Sequence, residues 1–236
     1  MRLMKAIILN SGMGSRLGDL TKNNPKSMVH LNEKETIFSR AIKILSKFKI
    51  DEYIITTGYL DDVLREYAEN NFDLNFTFVH NPFYETTNYI KSMDLIGDLN
   101  DDIILLHGDL IFTQNVADRV INSKNTSVVI DSTISLPPKD FKAKVCDNQV
   151  KYIGVDYFGD DAVACQPFYK FICEDWIFWK NKISEFCLKN QTDVYAENAL
   201  NTLTDEILIN AIDLKGELCM EVDTVEDLNK AKEILK

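Results

Sequence analysis

The chain has 236 residues, a length that favours one domain with a full hydrophobic core over two small domains. Apolar residues make up 45% of the chain and charged residues 27%, as in ordinary globular proteins. The net charge of −11 argues against non-specific nucleic-acid binding, which needs a basic surface, whereas a small anion can still bind where cations are concentrated.

Neither the cysteines nor the N-terminal segment matches a sequence signature for metal binding, secretion or membrane insertion. The five cysteines contain no CxxC pair, and with three scattered histidines they form no zinc-binding pattern. We expect reduced thiols and a cytoplasmic location. The first apolar run stops at Leu9, which is too short for a secretion signal or a membrane span, so we expect no membrane association.

The first half of the chain alternates between short apolar runs and segments with helical spacing of apolar residues. In chain order we predict a strand at 4–10, a helix at 36–48, a strand at 52–57, a helix at 60–71, a strand at 75–80, a helix at 88–99, a strand at 103–107, a helix at 114–124 and a strand at 127–131. This order predicts an α/β fold with a Rossmann-like, mixed but mostly parallel sheet flanked by helices.

The pattern changes after Pro137-Pro138. We predict a hairpin with strands at 142–146 and 150–155, helices near 174–189 and 195–203, a strand near 207–213 and a last helix at 225–235. These elements predict a small α+β insertion at the edge of the sheet. The whole chain, 1–236, is expected to form a single domain with a first half at about 1–135, a second half at about 136–220 and a closing segment at 220–236.

The loop after the first strand reads LNSGMGSRLGDLTKNNPKS at residues 9–27 and combines glycines with cations. It matches neither the GxxxxGK[ST] phosphate loop nor the GxGxxG dinucleotide fingerprint. Backbone N–H groups beside cations nevertheless suit a phosphate. The candidate cradle consists of Gly12, Met13, Gly14, Ser15, Arg16 and Lys26. The alternatives are turn glycines and solvated surface charges.

Three segments resemble one enzyme family. Residues 9–31, HGDLIF at 107–112 and MEVDTVEDLNKAKEIL at 220–235 resemble the nucleotidyltransferases that condense a nucleoside triphosphate with a phosphorylated small molecule. The chain length and NPFYETTNYIKSM at 81–93 most resemble the small cytidylyltransferases, which activate phosphocholine, 2-aminoethylphosphonate or phosphoglutamine. The resemblance implies a nucleotide-diphospho-sugar transferase-like fold, with a nucleotide-binding first half and a substrate-binding second half.

The resemblance also implies roles for individual residues. Arg16 and Lys26 would be catalytic, Arg16 on the β/γ-phosphates and Lys26 between the α-phosphate and the incoming phosphate, and Asp109 and Asp223 would hold Mg²⁺. Helix capping is the alternative role for both aspartates. The residues implied in nucleotide binding are Asn10, Ser11, Gly12, Met13, Gly14, Ser15, Gly58, Asn88 and Ser92. Asn88 can also cap a helix, which is compatible with reading the base.

The acceptor pocket is predicted from the second half of the chain. Aromatic rings and a carboxylate would suit a quaternary ammonium, and nearby lysines would suit a carboxylate. The candidate acceptor residues are Lys142, Lys144, Phe168, Tyr169 and Glu197, with Trp176 and Lys170 as further possibilities. Trp176 and Trp179, three residues apart on a helix, are more often core residues.

The resulting prediction is a CTP-dependent cytidylyltransferase, a monomer or homodimer, that acts on a small phosphorylated amino compound. The lysines favour a zwitterionic acceptor such as phosphoglutamine over phosphocholine. The alternatives are a sugar-1-phosphate nucleotidyltransferase that uses UTP or dTTP, and a catalytically inactive relative that only binds nucleotide.

Overall fold

A computed structural model describes residues 3–236. Its strands are β1 (Met4–Leu9), β2 (Glu52–Thr57), β3 (Phe76–His80), β4 (Asp102–His107), β5 (Leu110–Phe112), β6 (Ser127–Asp131), β7 (Lys142–Cys146), β8 (Gln149–Gly154), β9 (Ala162–Phe171), β10 (Ile209–Asp213) and β11 (Cys219–Glu221). Its α-helices are α1 (Ile37–Leu45), α2 (Asp61–Asn71), α3 (Tyr89–Asp94), α4 (Gln114–Ile121), α5 (Cys173–Leu188), α6 (Ala196–Leu200) and α7 (Val225–Ile234).

Nine strands form one sheet in the order β3-β2-β1-β4-β9-β6-β10-β8-β7. The strands β3, β2, β1 and β4 are parallel, as predicted, because a helix separates each of the four from the next of them in the chain. The strand β9 is antiparallel to both of its neighbours, β4 and β6. The fold is therefore the predicted mixed, mostly parallel sheet flanked by helices. Across residues 3–236, no helix is both long and apolar enough to cross a bilayer.

The second half of the chain enters the sheet more deeply than predicted. The hairpin of β7 and β8 comes last in the strand order, but it is not the free edge expected from the sequence, because β7 also pairs with β9, which itself lies in the middle of the sheet. A proline in the run AVACQPFYKF argues against a central strand in the sequence. In the structure Pro167 lies where the pairing of β9 with β6 shifts register, so a β-bulge accommodates the missing N–H.

Helices cover the two faces of the sheet because alternate side chains of its buried strands face opposite sides. Ile7 packs with residues of α3, α5 and α6, whereas Ile8 packs with residues of α1 and α4. Trp176 and Trp179 are fully buried, which confirms that they are core residues. Helix α3 ends at Asp94, earlier than the predicted end at 99.

Candidate active site

A cavity of about 570 Å³ opens where the carboxyl ends of β1 and β4 meet. It is lined by every residue predicted for catalysis, nucleotide binding or metal binding except Met13 and Gly58. Met13 points outward and is exposed. Gly58 supports the loop from behind, since a Cβ added there would lie 2.6 Å from the carbonyl oxygen of Ser11. The ligand crevice expected at this edge of an open α/β sheet is therefore present.

Gly14 gives the first loop its shape. Its backbone is left-handed, with φ 64° and ψ 30°, a conformation that favours glycine. A Cβ added there would lie 2.8 Å from the Cβ of Lys26, so the missing side chain lets the lysine pass close beneath the loop. Around Gly12, by contrast, an added Cβ would meet no atom within 4 Å. Gly14 is thus required for the fold of the loop, and Gly12 leaves space on the cavity side.

Asp109 and Asp223 lie far apart in sequence and meet through strand pairing. The strands β5 and β11 form a two-stranded antiparallel sheet, and the N–H of Val222 donates to the carbonyl oxygen of Asp109 at 3.0 Å. Neither aspartate caps the helix that follows it, because Thr113 caps α4 and Thr224 caps α7. The capping interpretation of both aspartates is therefore wrong.

The ammonium of Lys26 contacts both carboxylates, with Nζ donating to Asp109 Oδ2 and to Asp223 Oδ1. Burial alone would lower the pKa of Lys26, but the charges of the two aspartates raise it well above its usual value. Arg16 reaches the same cluster, with Nη1 3.0 Å from Asp223 Oδ2, and its side chain is 57% exposed. Lys26 is thus not a solvated charge, whereas Arg16 contacts Asp223 and remains more than half exposed.

One oxygen of this cluster remains free. Asp109 Oδ1 is buried and has no hydrogen-bond partner in the part of the chain that the structure describes. A buried carboxylate oxygen without a donor suits a hard cation. His107 and Glu221 also lie near Asp109, with potential ligand atoms of the three residues within 4.8 Å of one another. The residues present therefore fit a divalent cation in this part of the cavity.

A chain of hydroxyl and amide groups runs along the cavity toward α3. Asn81 Nδ2 donates to Ser92 Oγ at 3.0 Å, and Ser92 Oγ donates to Ser11 Oγ at 2.9 Å. Asn88 caps α3 by accepting from the N–H of Tyr89 at 2.7 Å, as expected, and also lines the cavity. Asn81 lies at a strand end expected to line the crevice, but the sequence predicts no role for it; its Nδ2 also donates to Thr87 Oγ1 at 3.2 Å.

One wall of the cavity, next to His107, is aromatic and is formed by Tyr89, Phe141 and Tyr195. The ring centroid of His107 lies 4.8 Å from that of Tyr89 and 6.2 Å from that of Phe141. The ring centroids of Phe141 and Tyr195 are 5.1 Å apart, and those of Tyr89 and Tyr195 are 6.0 Å apart. Glu221 lies beside this wall, and its Oε1 is 3.1 Å from His107 Nδ1. Burial and the charge of Asp109 raise the pKa of Glu221 to about 7. The wall and the acidic residues beside it could hold a cationic group.

The five predicted acceptor residues do not line the cavity, and that part of the prediction is corrected. Phe168 and Tyr169 are buried in the central strand β9, covered on both faces. Glu197 is buried below the aromatic wall, where it accepts hydrogen bonds from the hydroxyls of Tyr89 and Tyr169. Its carboxylate therefore supports the wall from behind and is not available to a ligand.

The two predicted lysines have other partners. Lys142 is fully buried, and its Nζ donates to main-chain carbonyl oxygens. Lys144 is about half exposed, and its Nζ lies 3.8 Å from Asp161 Oδ2. Lys170 pairs with Asp102 at the opposite end of β4, with 3.1 Å between Nζ and Oδ2. The cavity contains one cation that the sequence did not suggest, Lys139.

A model of the nucleotidyl transferase family matches residues 5–143, more than half of the chain. The chain belongs to this family. Two relatives match this nucleotidyl transferase over their full length. The CTP:phosphoglutamine cytidylyltransferase of Campylobacter jejuni is 28% identical over 95% of this chain and 98% of that protein. The choline-phosphate cytidylyltransferase of Streptococcus pneumoniae is 27% identical over 99% of each chain.

Solved structures share the fold. The CTP:phosphocholine cytidylyltransferase of Streptococcus pneumoniae matches with a TM-score of 0.79 at 22% identity over 100% of both chains. The inositol-1-phosphate CTP transferase of T. maritima matches with a TM-score of 0.80 at 18% identity, covering 100% of this chain and 96% of that one. The protein is thus a nucleotidyltransferase whose relatives include cytidylyltransferases that act on phosphorylated compounds.

Proposed function

We propose that this nucleotidyl transferase transfers CMP from CTP to a small phosphorylated amino compound and releases pyrophosphate. The observation that carries the proposal is a single cavity with two kinds of lining. The glycine loop, Lys26 and two carboxylates form one part of it, and an aromatic wall with acidic neighbours forms an adjoining part. The names of the full-length relatives, which pair CTP with phosphoglutamine or with choline phosphate, support the same two substrates.

In the first part the triphosphate would lie against the glycine loop. Main-chain N–H groups from Gly12 to Ser15 would donate to its oxygens. The exposed guanidinium of Arg16 has the freedom to pair with the outer phosphates in its fork geometry. Asn88 and Ser92, on the same side of the cavity, would contact the base.

The reaction itself needs positioning more than proton transfer. An oxygen of the acceptor phosphate attacks the α-phosphorus of CTP and forms a new P–O bond. The bond between the α-phosphorus and the bridging oxygen breaks, and pyrophosphate leaves with the electron pair. The nucleophile is already an anion, so no general base is required. Lys26 would offset the repulsion between the two phosphates as they approach.

Asp109 and Asp223 would hold Mg²⁺ in the same part of the cavity. The buried and unpartnered Oδ1 of Asp109 supports this assignment. When bound, Mg²⁺ would supply positive charge to the phosphate oxygens. Both aspartates already share the ammonium of Lys26, so the lysine has to give up at least part of that contact when a cation and the phosphates enter.

In the adjoining part the aromatic wall would receive the amino group of the acceptor. A cation over aromatic faces, with carboxylates nearby, is favourable in a site partly shielded from water. Asp193 and Glu221 line the cavity, and Asp193 would supply most of the negative charge, because the raised pKa of Glu221 leaves that group partly protonated at neutral pH. The lysines that favoured a zwitterionic acceptor lie elsewhere, so the support for an amino group now comes from Tyr89, Phe141 and Tyr195.

The test is a pyrophosphate-release assay with Mg²⁺, each nucleoside triphosphate in turn, and a panel of phosphocholine, phosphoethanolamine, 2-aminoethylphosphonate, phosphoglutamine and glucose 1-phosphate. We expect release with CTP and an amino acceptor. Release only with UTP or dTTP and the sugar phosphate would identify the sugar-type enzyme instead. No release with any pair would indicate an inactive nucleotide-binding relative.

Variants of the two aspartates connect the assay to the site. We expect Asp109→Asn and Asp223→Asn each to remove most of the turnover, by about 10²-fold or more, with the fold intact by circular dichroism. Asp98→Asn is the matched control, because Asp98 is an exposed aspartate outside the cavity lining. Near-normal turnover of either active-site variant in Mg²⁺ would remove that residue from the proposed metal site.

A further inference from the structure

A single buried ammonium joins two walls of the cavity. Lys142 is fully buried at the start of β7, and its Nζ donates to the carbonyl oxygens of Pro137 at 2.8 Å, of Asp140 at 2.9 Å, and of Val155. An ammonium has three N–H donors, so all of them are used. Asp140 and Val155 themselves line the cavity, from two different segments of the chain.

We infer that Lys142 is a positioning residue for the acceptor part of the cavity. Its ammonium ties the loop before β7 to the segment after β8, and thereby fixes Phe141 of the aromatic wall between them. The three carbonyls come from segments without regular hydrogen bonding of their own, since Pro137 and Asp140 precede β7 and Val155 follows β8. Without the lysine, these carbonyl groups would lose a charged donor.

The outer side of the ammonium is closed by a ring. Lys142 Nζ lies 4.2 Å from the ring centroid of Phe158, which is 57% exposed and belongs to the same segment as Val155. This cation–π contact shields the ammonium from water and adds a further link between the two segments. These contacts hold the ammonium where burial lowers its pKa and the charges of Asp140 and Asp156 offset only part of that effect.

The loop that Lys142 holds reaches both parts of the cavity. Phe141 contacts Tyr195 in the aromatic wall, whereas the carboxyl of Asp140 is close enough to Asp223 that this charge, after burial, raises the pKa of Asp140. A shift of the loop would therefore move the acceptor against the α-phosphorus. Displacements of about 1 Å in a reacting pair can lower rates by about 10²-fold.

The inference rests on the proposed function for its kinetic readout, with the acceptor that gives pyrophosphate in the panel, phosphocholine first. We expect Lys142→Met to raise the KM for that acceptor about tenfold or more and to leave the KM for CTP within about threefold, because the loop contributes Phe141 to the aromatic wall, whereas the triphosphate would lie against the glycine loop, to which Lys142 donates no hydrogen bond. Lys144→Met is the matched control on the same strand, since Lys144 lines no part of the cavity, and we expect it to match the wild type.

A second readout needs no substrate. Hydrogen–deuterium exchange of the free protein should be faster at residues 137–141 and 155–158 in Lys142→Met than in the wild type or in Lys144→Met. If the wild type gives no pyrophosphate with any pair, the proposed function fails, and the exchange result still decides whether Lys142 ties the two segments.

An unchanged acceptor KM in folded Lys142→Met would overturn the inference, as would equal rises in the KM values for acceptor and CTP. Unchanged exchange at both segments would also overturn it. If Lys142→Met does not fold, Phe158→Leu decides, because Phe158 is exposed and its loss weakens the same link. We then expect a smaller, severalfold rise in the acceptor KM, and no rise would overturn the inference.

Discussion

The sharpest expectation concerns Lys26→Met, which keeps the length of the side chain and removes its charge. In the wild type the ammonium lies between Asp109 and Asp223, and the three side chains are only 15–17% exposed. The substitution leaves two mostly buried carboxylates facing each other without their shared partner. Asp223 keeps Arg16 at 3.0 Å, so only Asp109 loses its sole cationic side-chain contact in the described chain.

The size of the effect follows from this burial. Removing one partner of a buried ion pair costs about 3–5 kcal/mol, and an exposed pair is worth about 0–1 kcal/mol. The ion pairs of Lys26 are mostly buried, and Arg16 remains as a second cation beside Asp223. We therefore expect a loss of about 2–4 kcal/mol in the free energy of unfolding. We expect kcat/KM to fall by about 10²-fold or more for both CTP and the acceptor, as for other preorganised electrostatic groups.

Three comparisons separate stability from catalysis. Urea unfolding and pyrophosphate release are measured for Lys26→Met, for the double variant Lys26→Met/Asp223→Asn, and for Lys22→Met, an exposed lysine of the same loop. The double variant should regain part of the stability, because one of the facing charges is gone, and none of the activity.

Mg²⁺ should also raise the melting temperature of Lys26→Met more than that of the wild type, since the ammonium no longer competes for the carboxylates. A Lys26→Met protein within about 0.5 kcal/mol and threefold of the wild type would refute the reasoning.

Three further expectations follow from the structure. Gly14→Ala should cost about 1–3 kcal/mol of unfolding free energy, because its φ is positive and the new Cβ would press on Lys26, whereas Gly12→Ala should keep the stability and lower only kcat/KM for CTP. EDTA should weaken CTP binding measured by calorimetry, and unchanged affinity would contradict a metal in the phosphate part of the cavity. Lys5→Met should destabilise the protein at neutral pH, and urea unfolding should show this difference shrinking below about pH 4.5. Burial raises the pKa of Glu52, but the hydrogen bond from Lys5 outweighs it and lowers the pKa below 4.5. The pair therefore contributes stability above that pH and loses it as Glu52 is protonated.

The residues proposed to bind the nucleotide could be placed in one cavity from the sequence, because most of them lie in one local stretch. The loop from Asn10 to Lys26 supplies most of the phosphate part from one continuous stretch. The parallel order of β1, β2 and β4 then brings the residues after each strand to one edge, whatever the details of packing. Asp223, which meets Asp109 in the cavity, lies more than 100 residues away in the sequence. It is predicted only because the last segment resembles the family.

The aromatic wall proposed to bind the acceptor could not be predicted in the same way, because its residues come from three separate places in the chain. Tyr89 lies at the start of α3, Phe141 precedes β7 and Tyr195 precedes α6. In the sequence, aromatic residues that lie next to each other are favoured for the acceptor pocket, and Phe168 and Tyr169 are such a pair. These two belong to a strand covered on both faces, which the sequence conceals because Pro167 interrupts its pattern.

The charges of the cavity also connect its two parts. Among residues 3–236, its lining contains five carboxylates, Asp109, Asp140, Asp193, Glu221 and Asp223, against the three cations Arg16, Lys26 and Lys139, with His107 beside Glu221. A triphosphate and an acceptor phosphate would add several negative charges to a surface that is already acidic. The phosphate part can therefore bind both substrates only if additional positive charge enters with them, for which a divalent cation is suited. The acceptor part has the opposite requirement, because its acidic side chains favour a ligand that brings a cation. A phosphorylated amino compound meets both conditions in one molecule, since its amino group balances the acidic residues beside the aromatic wall while its phosphate lies near Lys26.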